Sequence, residues 1–584
     1  MSLRQSILNA NRLISSGRRM KILLIYPFFI SKRIHVEEIQ SPPLGLYYIG
    51  AALKKKGHDV EIMNWGDAGD KPDMIRKALL EKQPDILGFS VLNANRWGAI
   101  SIARLAREID PEIRIVLGGV GATFLWDHLL SHFPWVDFII LGEGEITFEV
   151  LADRLGKGGE DNVSEIAGIA YRGPGGPVMN PPRGFIRDLD TLADPSLYFD
   201  FDHLASSRGC PWQCSFCGSP MFWNRKVRFH SPVYFVNQLE RLCLRGKSFF
   251  FFSDDTFTLK KERVIEICRL IIDKKLNITW FAISRVDCVD EEMLEWMRRA
   301  GCIQISYGVE SGSSEIRSVL NKQIEEESVI RAFSLTKRYG ILPRAYFIYG
   351  SPGETASTIR KSLELVDKIK PLSAIFYILA LYPGTSLYEA YLKHTGLTDE
   401  LWLNPIEDIM YFETDNSLSR ELVMEYGETL RRHFWNGLAS SAQSIDLIDS
   451  PHLYPLHADF LSRLAMTFTH GEYSRNQAIP DKEKTAEILF LKALKYHDDQ
   501  RAYLGLAILK QRQGRYEEAL PFCARGLELF PESESLRMCL GITYINLKRF
   551  EEALRCFTLC DHSPRVDHYL GLCEKALRKS PKQN

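Results

Sequence analysis

The sequence predicts an α/β protein: two successive parallel β/α domains followed by an all-α repeat module. Three observations predict it. Short apolar runs alternate with helical stretches from Lys21 to about Glu149, the same rhythm returns from His203 to about Tyr388, and the tail repeats with a period of 34 residues. At 584 residues the chain exceeds one hydrophobic core and divides into about three or four domains. Its 45% apolar and 25% charged content is that of an ordinary globular protein. With 73 basic against 74 acidic residues the net charge is −1, which supplies no global field for nucleic acid or an anionic membrane.

Residues 1–20 read as a leader without the apolar core of a signal peptide. No apolar run reaches the roughly 18 residues of a transmembrane helix. The 12 cysteines suit a reducing compartment, as thiols or metal ligands, so a cytoplasmic enzyme is expected. In residues 21–150 the strands are Ile22–Ile25, Val60–Ile62, Asp85–Ser90, Ile113–Gly119 and Phe138–Gly142, with a helix from Leu46 to Lys56 ending at Gly57. This is a Rossmann-like, doubly wound sheet, whose ligands sit at the carboxyl ends of its strands. Those ends carry Ser90, Gly118, Gly119, Gly142 and Glu143. Residues 151–200 are a Gly- and Pro-rich connector, with room for a small hairpin.

In residues 201–390 a strand near His203–Ser206 precedes Lys247–Phe252, Ile278–Ile283, Ile303–Gly308, Pro343–Gly350 and Ile375–Leu381. Six βα units predict a full or partial TIM-type barrel. Residues 391–480 read as a helical extension without legible chemistry. In residues 481–584, Arg515-Tyr516-Glu517-Glu518-Ala519-Leu520 recurs as Arg549-Phe550-Glu551-Glu552-Ala553-Leu554, which resembles tetratricopeptide repeats. Two repeats with flanking helices make a short array, docked on the enzyme or on a protein partner.

The sharpest motif is Arg208-Gly209-Cys210-Pro211-Trp212-Gln213-Cys214-Ser215-Phe216-Cys217-Gly218. Three thiolates within eight residues can wrap one metal centre. Structural zinc takes four ligands, commonly from paired knuckles, and no second knuckle is nearby. The other nine cysteines are scattered and read as packed thiols. Three ligands on a four-iron cluster leave one iron open to a chelating amine and carboxylate.

The Cys-x3-Cys-x2-Cys spacing resembles the radical S-adenosylmethionine superfamily, and Phe216 before the last cysteine fits it. The resemblance implies that Cys210, Cys214 and Cys217 hold a 4Fe-4S cluster, which cleaves S-adenosylmethionine to an adenosyl radical. It extends along some 180 residues through Phe249–Phe257, Gly308–Gly312, Lys322, Tyr349–Glu354 and Tyr382–Thr385. It implies that Asp254 or Asp255 receives the methionine amine, Glu310 the ribose hydroxyls and Lys322 the carboxylate, with Tyr349 and Gly350 at the fifth strand end. One of the two aspartates is expected to be a loop or cap residue.

Residues 21–150 resemble the cobalamin-binding domain that often precedes such barrels, through Ser41-Pro42-Pro43-Leu44-Gly45-Leu46, Gly57-His58-Asp59-Val60, Gly88-Phe89-Ser90, Leu117-Gly118-Gly119 and Gly142-Glu143-Gly144-Glu145. The Asp-x-His-x-x-Gly motif of cobalamin mutases is missing, so cobalt without a histidine ligand is implied. His35 reads as a loop residue and His58 as the cap of a helix-to-strand turn. Val120-Gly121 stands where relatives often carry Pro-His. The implied reaction is methylation of an unactivated carbon, then a radical cyclisation or rearrangement, then a non-catalytic scaffold. A small-molecule or peptide substrate and an electron donor such as flavodoxin or ferredoxin are implied, and no nucleic acid is expected.

Overall fold

The computed structural model describes residues 18–30, 43–66, 69, 71–158 and 160–579. The leader up to Gly17, His35 and Ser41-Pro42 lie outside the described residues. Among the described residues no helix is long and apolar enough to cross a membrane.

The first sheet has seven strands: β1 (Lys21–Tyr26), β2 (Asp59–Asn64), β3 (Ile86–Ser90), β4 (Arg114–Gly118), β5 (Phe138–Ile140), β6 (Ile169–Gly173) and β7 (Gly176–Met179). Their order is β2-β1-β3-β4-β5-β6-β7, with the first five parallel. The strands β1, β3, β4 and β5 are buried on both faces, as parallel strands covered by helices must be. Helices Leu44–Lys55 and Glu145–Gly156 cover one face, where Leu24, Val116 and Phe148 pack. Helices Pro72–Lys82, Arg96–Ile109 and Trp126–His132 cover the other, over Leu87, Ile115 and Leu117. The order reverses between β1 and β3, which places the ligand crevice outside Tyr26 and Ser90. The connector's hairpin, β6–β7, pairs antiparallel onto β5, so its first half completes the first sheet.

The second sheet is an open, all-parallel partial barrel. Its strands are β8 (His203–Leu204), β11 (Phe249–Phe252), β12 (Thr279–Ser284), β13 (Cys302–Glu310), β14 (Leu342–Tyr349) and β15 (Ser373–Ile378), in the order β15-β14-β13-β12-β11-β8. Between β8 and β11, β9 (Ser207–Arg208) pairs antiparallel with β10 (Arg228–Phe229) around the cysteine loop. Alternate residues such as Phe252, Trp280, Tyr307 and Phe347 face the surrounding helices and form the main core. After β15, β16 (Ala380–Leu381) and β17 (Ile409–Met410) close an antiparallel strap. The strap's Leu381, Tyr388 and Trp402 bury themselves in the core of the first domain.

The tail consists of helices Lys482–Tyr496, Gln500–Arg512, Tyr516–Leu529, Glu534–Asn546, Phe550–Thr558 and Pro564–Lys579. Close crossings need glycine: a Cβ on Gly505 would lie 2.2 Å from the Phe490 ring, and one on Gly541 2.6 Å from the Phe557 ring. Its first two helices are not a separate unit. Ala486, Leu489, Phe490, Leu506 and Leu509 share the barrel's core cluster.

Candidate active site

The cysteine loop starts at Gly209, whose φ of 102° and proximity to the Lys226 carbonyl (2.1 Å from an added Cβ) admit only glycine. The loop is pinned from across the barrel. Ser215 N–H donates to Leu320 O at 3.0 Å, Leu387 N–H to Ser215 O at 2.9 Å, and Asn321 Nδ2 to Gln213 O at 2.7 Å. Phe216 packs against Ile316, Leu320 and Leu379. The three thiols are half-buried, and burial pushes Cys210 up to about 11 and Cys217 up to about 12, each worsened by its neighbouring cysteines. As bare thiols they would stay protonated, so iron has to supply the charge that makes them thiolates. No three His, Cys, Asp or Glu among the described residues gather as ligands of one ion. Ligands on three different irons of a cluster stand further apart than those of a single ion, so this donor set fits the cluster better than a lone zinc.

Cations face the same loop. The Arg285 guanidinium lies 4.2 Å from the Trp212 ring centroid, and Arg285 and Lys322 both draw the Cys214 thiol downward against burial. Lys322 Nζ is 2.7 Å from Glu310 Oε1, with both side chains buried. Burial opposes the Lys322 charge, but Glu310 and Cys214 outweigh it and its pKa is raised. Glu310 adopts φ 64° beyond a register shift in β13, which turns its carboxylate back over Gly308. A Cβ on Gly308 would meet Glu310 Oε1 at 2.4 Å and Lys322 Nζ at 2.6 Å. The two expected S-adenosylmethionine contacts are thus brought together beside the cysteines.

Other expected residues have different surroundings. Asp254 is fully engaged, accepting from Ser206 N–H at 3.1 Å, Ser206 Oγ at 2.7 Å and Ser207 Oγ, beside Arg263. Asp255 accepts from Ser219 Oγ at 2.8 Å and from the Gly209 backbone. Asp254 therefore supports the cysteine loop from beneath with its oxygens taken up, and Asp255, an exposed residue, braces the loop through Ser219 and Gly209. Tyr349 points outward: its ring is buried with Val423 and Tyr426, and Arg431 Nη1 donates to its hydroxyl at 3.2 Å. Gly350 turns the chain at φ 75°, and its N–H bonds the Glu354 carboxylate. Burial raises Glu354 to about 7 despite that bond.

At the sheet ends of the first domain, Gly118 O accepts from Val91 N–H at 2.7 Å, and Gly119 (φ 95°) lets β4 approach Val91, whose carbonyl would be 2.8 Å from a Cβ. Ser90 is half-buried at the crevice. Gly142 (φ 68°) donates to Thr123 Oγ1 at 3.1 Å and has open space where a side chain would stand. Gly142 thus leaves backbone-lined room beyond its strand end, the form a flat cofactor needs. Glu143 is different: its oxygens bond Arg208 and Arg228 at 2.6 Å each, and the Ile186 N–H at 2.9 Å. Arg208 also bonds Glu145 at 2.5 Å and lies 5.0 Å from the Tyr48 ring centroid. Glu143 thus joins the first domain to the residues just before Cys210, and it is not free for a ligand. His58 accepts from Met20 N–H at 3.3 Å and contacts Asp153 at 3.1 Å, at the amino ends of the strands and so away from the crevice.

Two models of known families match the chain: the radical SAM superfamily over residues 204–366 and the B12 binding domain over residues 35–152. An uncharacterised methyltransferase of Pyrococcus horikoshii is 32% identical over 425 residues, 70% of this chain and 92% of that one. The chain belongs to the cobalamin-binding radical S-adenosylmethionine enzymes. It accordingly uses a 4Fe-4S cluster, S-adenosylmethionine and cobalamin. An anaerobic magnesium-protoporphyrin IX monomethyl ester cyclase of Rubrivivax gelatinosus is 29% identical over 437 residues, 71% of this chain and 78% of that one. The fold resembles two solved structures. One is the radical S-adenosylmethionine methyltransferase TsrM of Kitasatospora setae (TM-score 0.57, 18% identity, 85% of this chain and 98% of that one). The other is the cobalamin-dependent enzyme OxsB (TM-score 0.53, 19% identity, 96% and 84%). Arg208, Arg228 and Arg285 were not singled out in the sequence. Only the adjacency of Arg208 to Gly209-Cys210 could have drawn attention there.

Inside the barrel the two sides of the wall differ. His203 stacks on Phe251 with centroids 4.2 Å apart, and Phe249, Phe251 and Phe281 meet edge to face at 4.9–5.3 Å. Ile283, one row higher, is 38% exposed. Opposite, Tyr346 and Tyr377 stand on β14 and β15, and Arg344 pairs in register with Ser306 and Ser373.

Proposed function

We propose that the chain is a methyltransferase acting on an unactivated carbon. The observation that carries this is the convergence of the three-thiol loop with the buried Glu310–Lys322 pair, at the mouth of a barrel whose approach to Cys210 is clasped by the B12 domain. Bound there, the cluster and S-adenosylmethionine supply a radical able to abstract hydrogen, and cobalamin supplies a methyl group. Of the chain's own residues, Lys322 offers a cation to the methionine carboxylate and Glu310 an acceptor to the ribose. Arg285, Asp254 and Asp255 hold the cysteine loop in place. The boundary between the two β/α domains falls after the hairpin β6–β7 rather than at residue 150, and the barrel's core runs on through helix Lys482–Tyr496 rather than ending at residue 480.

The lumen supports a substrate with a flat apolar body. Burial lowers the His203 pKa, so its stack with Phe251 is uncharged at neutral pH, and the adjoining phenylalanine edges offer no hydrogen-bonding groups. Among the described residues Arg344 donates only its Nε–H, to Ser373 Oγ at 3.0 Å, which leaves its terminal nitrogens for an acidic substituent. A radical cyclisation remains the second reading, favoured by the likeness to the Rubrivivax cyclase. The helical tail serves as a tetratricopeptide-like docking module, and the enzyme works in the reducing cytoplasm with a small electron-carrier protein. Anaerobic turnover with methyl-labelled S-adenosylmethionine tests the main reading. Label recovered in a product carbon supports it; adenosine radical chemistry with unlabelled product would instead establish the cyclase reading.

A further inference from the structure

A cationic, aromatic surface lies on the outer side of the cysteine loop. Helix Ser219–Phe222 follows Cys217 directly, and the turn after it presents Arg225 and Lys226 to solvent. The facing connector adds Arg187, also exposed. A cavity of about 530 Å³ opens between them, lined by Gly184, Phe185, Arg187, Lys226, Val227 and Arg228, with no carboxylate in its wall. Arg228 is neutralised by Glu143, but Arg187, Arg225 and Lys226 form no ion pair among the described residues. Apolar surface borders the charges: Met221 is 58% exposed, and the half-buried Phe185 and Trp223 rings are 6.1 Å apart.

The turn is held in an unusual conformation. Asn224 and Arg225 are consecutive non-glycine residues at φ 47° and 56°, a costly arrangement kept in place by Arg225 N–H on Pro220 O at 2.9 Å and Lys226 N–H on Trp223 O at 3.0 Å. The Lys226 carbonyl in turn packs on Gly209, the residue before Cys210. The patch is therefore part of the frame around the cluster loop, on a chain whose net charge is only −1.

We propose that this surface docks a small acidic one-electron carrier protein, which delivers the electron for each S-adenosylmethionine cleavage. The inference rests on the radical reading of the site. The carrier is oxidised by one electron, the cluster is reduced, and that electron breaks one C–S bond of the sulfonium to give methionine and the adenosyl radical. Three unpaired cations around apolar side chains complement the carboxylate-rimmed face such a carrier would present, and steer its encounter.

The test compares the reconstituted holoenzyme with the R225E/K226E variant, driven by reduced flavodoxin or by dithionite, a small reductant that needs no docking face. Flavodoxin affinity is measured separately by titration calorimetry against ionic strength. The expected result is flavodoxin-driven cluster reduction about tenfold slower or more, with weaker binding and a shallower salt dependence. Dithionite-driven reduction should be unchanged, and R225K/K226R should behave as wild type. Equal loss with both reductants, or unchanged flavodoxin binding and reduction, overturns the proposal. Cluster reduction without adenosine cleavage in the wild type would count against the radical reading and leaves the binding comparison to judge the docking face.

Discussion

At the scale of single residues, the buried Glu310–Lys322 pair makes the clearest prediction. Removing one partner strands an uncompensated buried charge, at a cost of about 3–5 kcal/mol. Lys322→Ala should therefore lower the melting temperature of the ligand-free protein as well as its affinity for S-adenosylmethionine. Glu310→Gln with Lys322→Met should recover most of the stability and none of the affinity, which calorimetry and thermal denaturation together would separate. A double variant that binds normally would remove both residues from the ligand site. Glu354 makes a pH prediction. Its folded pKa, raised by burial to about 7, stands above the ordinary glutamate value of 4.5, so the folded state holds its proton longer than the unfolded chain. The stability this confers is present below about pH 4.5 and is lost as pH rises through about 7, amounting to about 3 kcal/mol. Glu354→Gln should flatten that decline, as followed by urea midpoints across the window.

At the scale of elements, periodicity revealed much and parity revealed less. The six barrel strands and the cysteine loop were legible because apolar runs and a three-thiol spacing are local signals. Tyr349 was not, because which face of β14 looks into the lumen depends on helix Arg420–Gln443, whose Gly427 admits the Tyr349 ring. Glu143 was misassigned for a related reason: its partners, Arg208 and Arg228, come from another element, and a carboxylate at a strand end looks the same whether its partner is a ligand or an arginine. The connector hairpin is short and glycine-rich, so nothing local announces its pairing with β5. A Cβ at Gly427 would stand 2.4 Å from Tyr349 Cζ and Oη, and the buried ring has little room to give. Gly427→Ala should cost about 1–3 kcal/mol in urea denaturation. The cost should be smaller in a Tyr349→Leu background, a coupling that a double-mutant cycle measures.

At the scale of the whole molecule, the boundary expected at residue 480 falls inside a core. Helix Lys482–Tyr496 shares its buried side chains with the barrel, whereas Cys523, Cys539 and Phe557 belong to smaller clusters further along the tail. A chain ending at Pro480 should therefore be insoluble, while one ending at Glu532 should elute as a folded protein that retains its iron, as size-exclusion chromatography and iron analysis would show. A soluble, fully loaded chain ending at Pro480 would contradict the shared core. The B12 domain is also attached at several places: Glu143 and Glu145 grip Arg208, Tyr47 stacks on Phe201 at 5.0 Å, and the strap grips Arg96, whose Nη1 donates to Glu407 O at 2.8 Å while Trp402 lies 4.6 Å beneath the guanidinium. A body held at several separated points has little freedom to turn, and the Phe124 ring seated over Gly384 adds one more contact against it. The two halves should therefore behave like a vise already set at folding, not like a jaw. Whatever travels between them should cross a gap of nearly constant width, entering and leaving by its own diffusion.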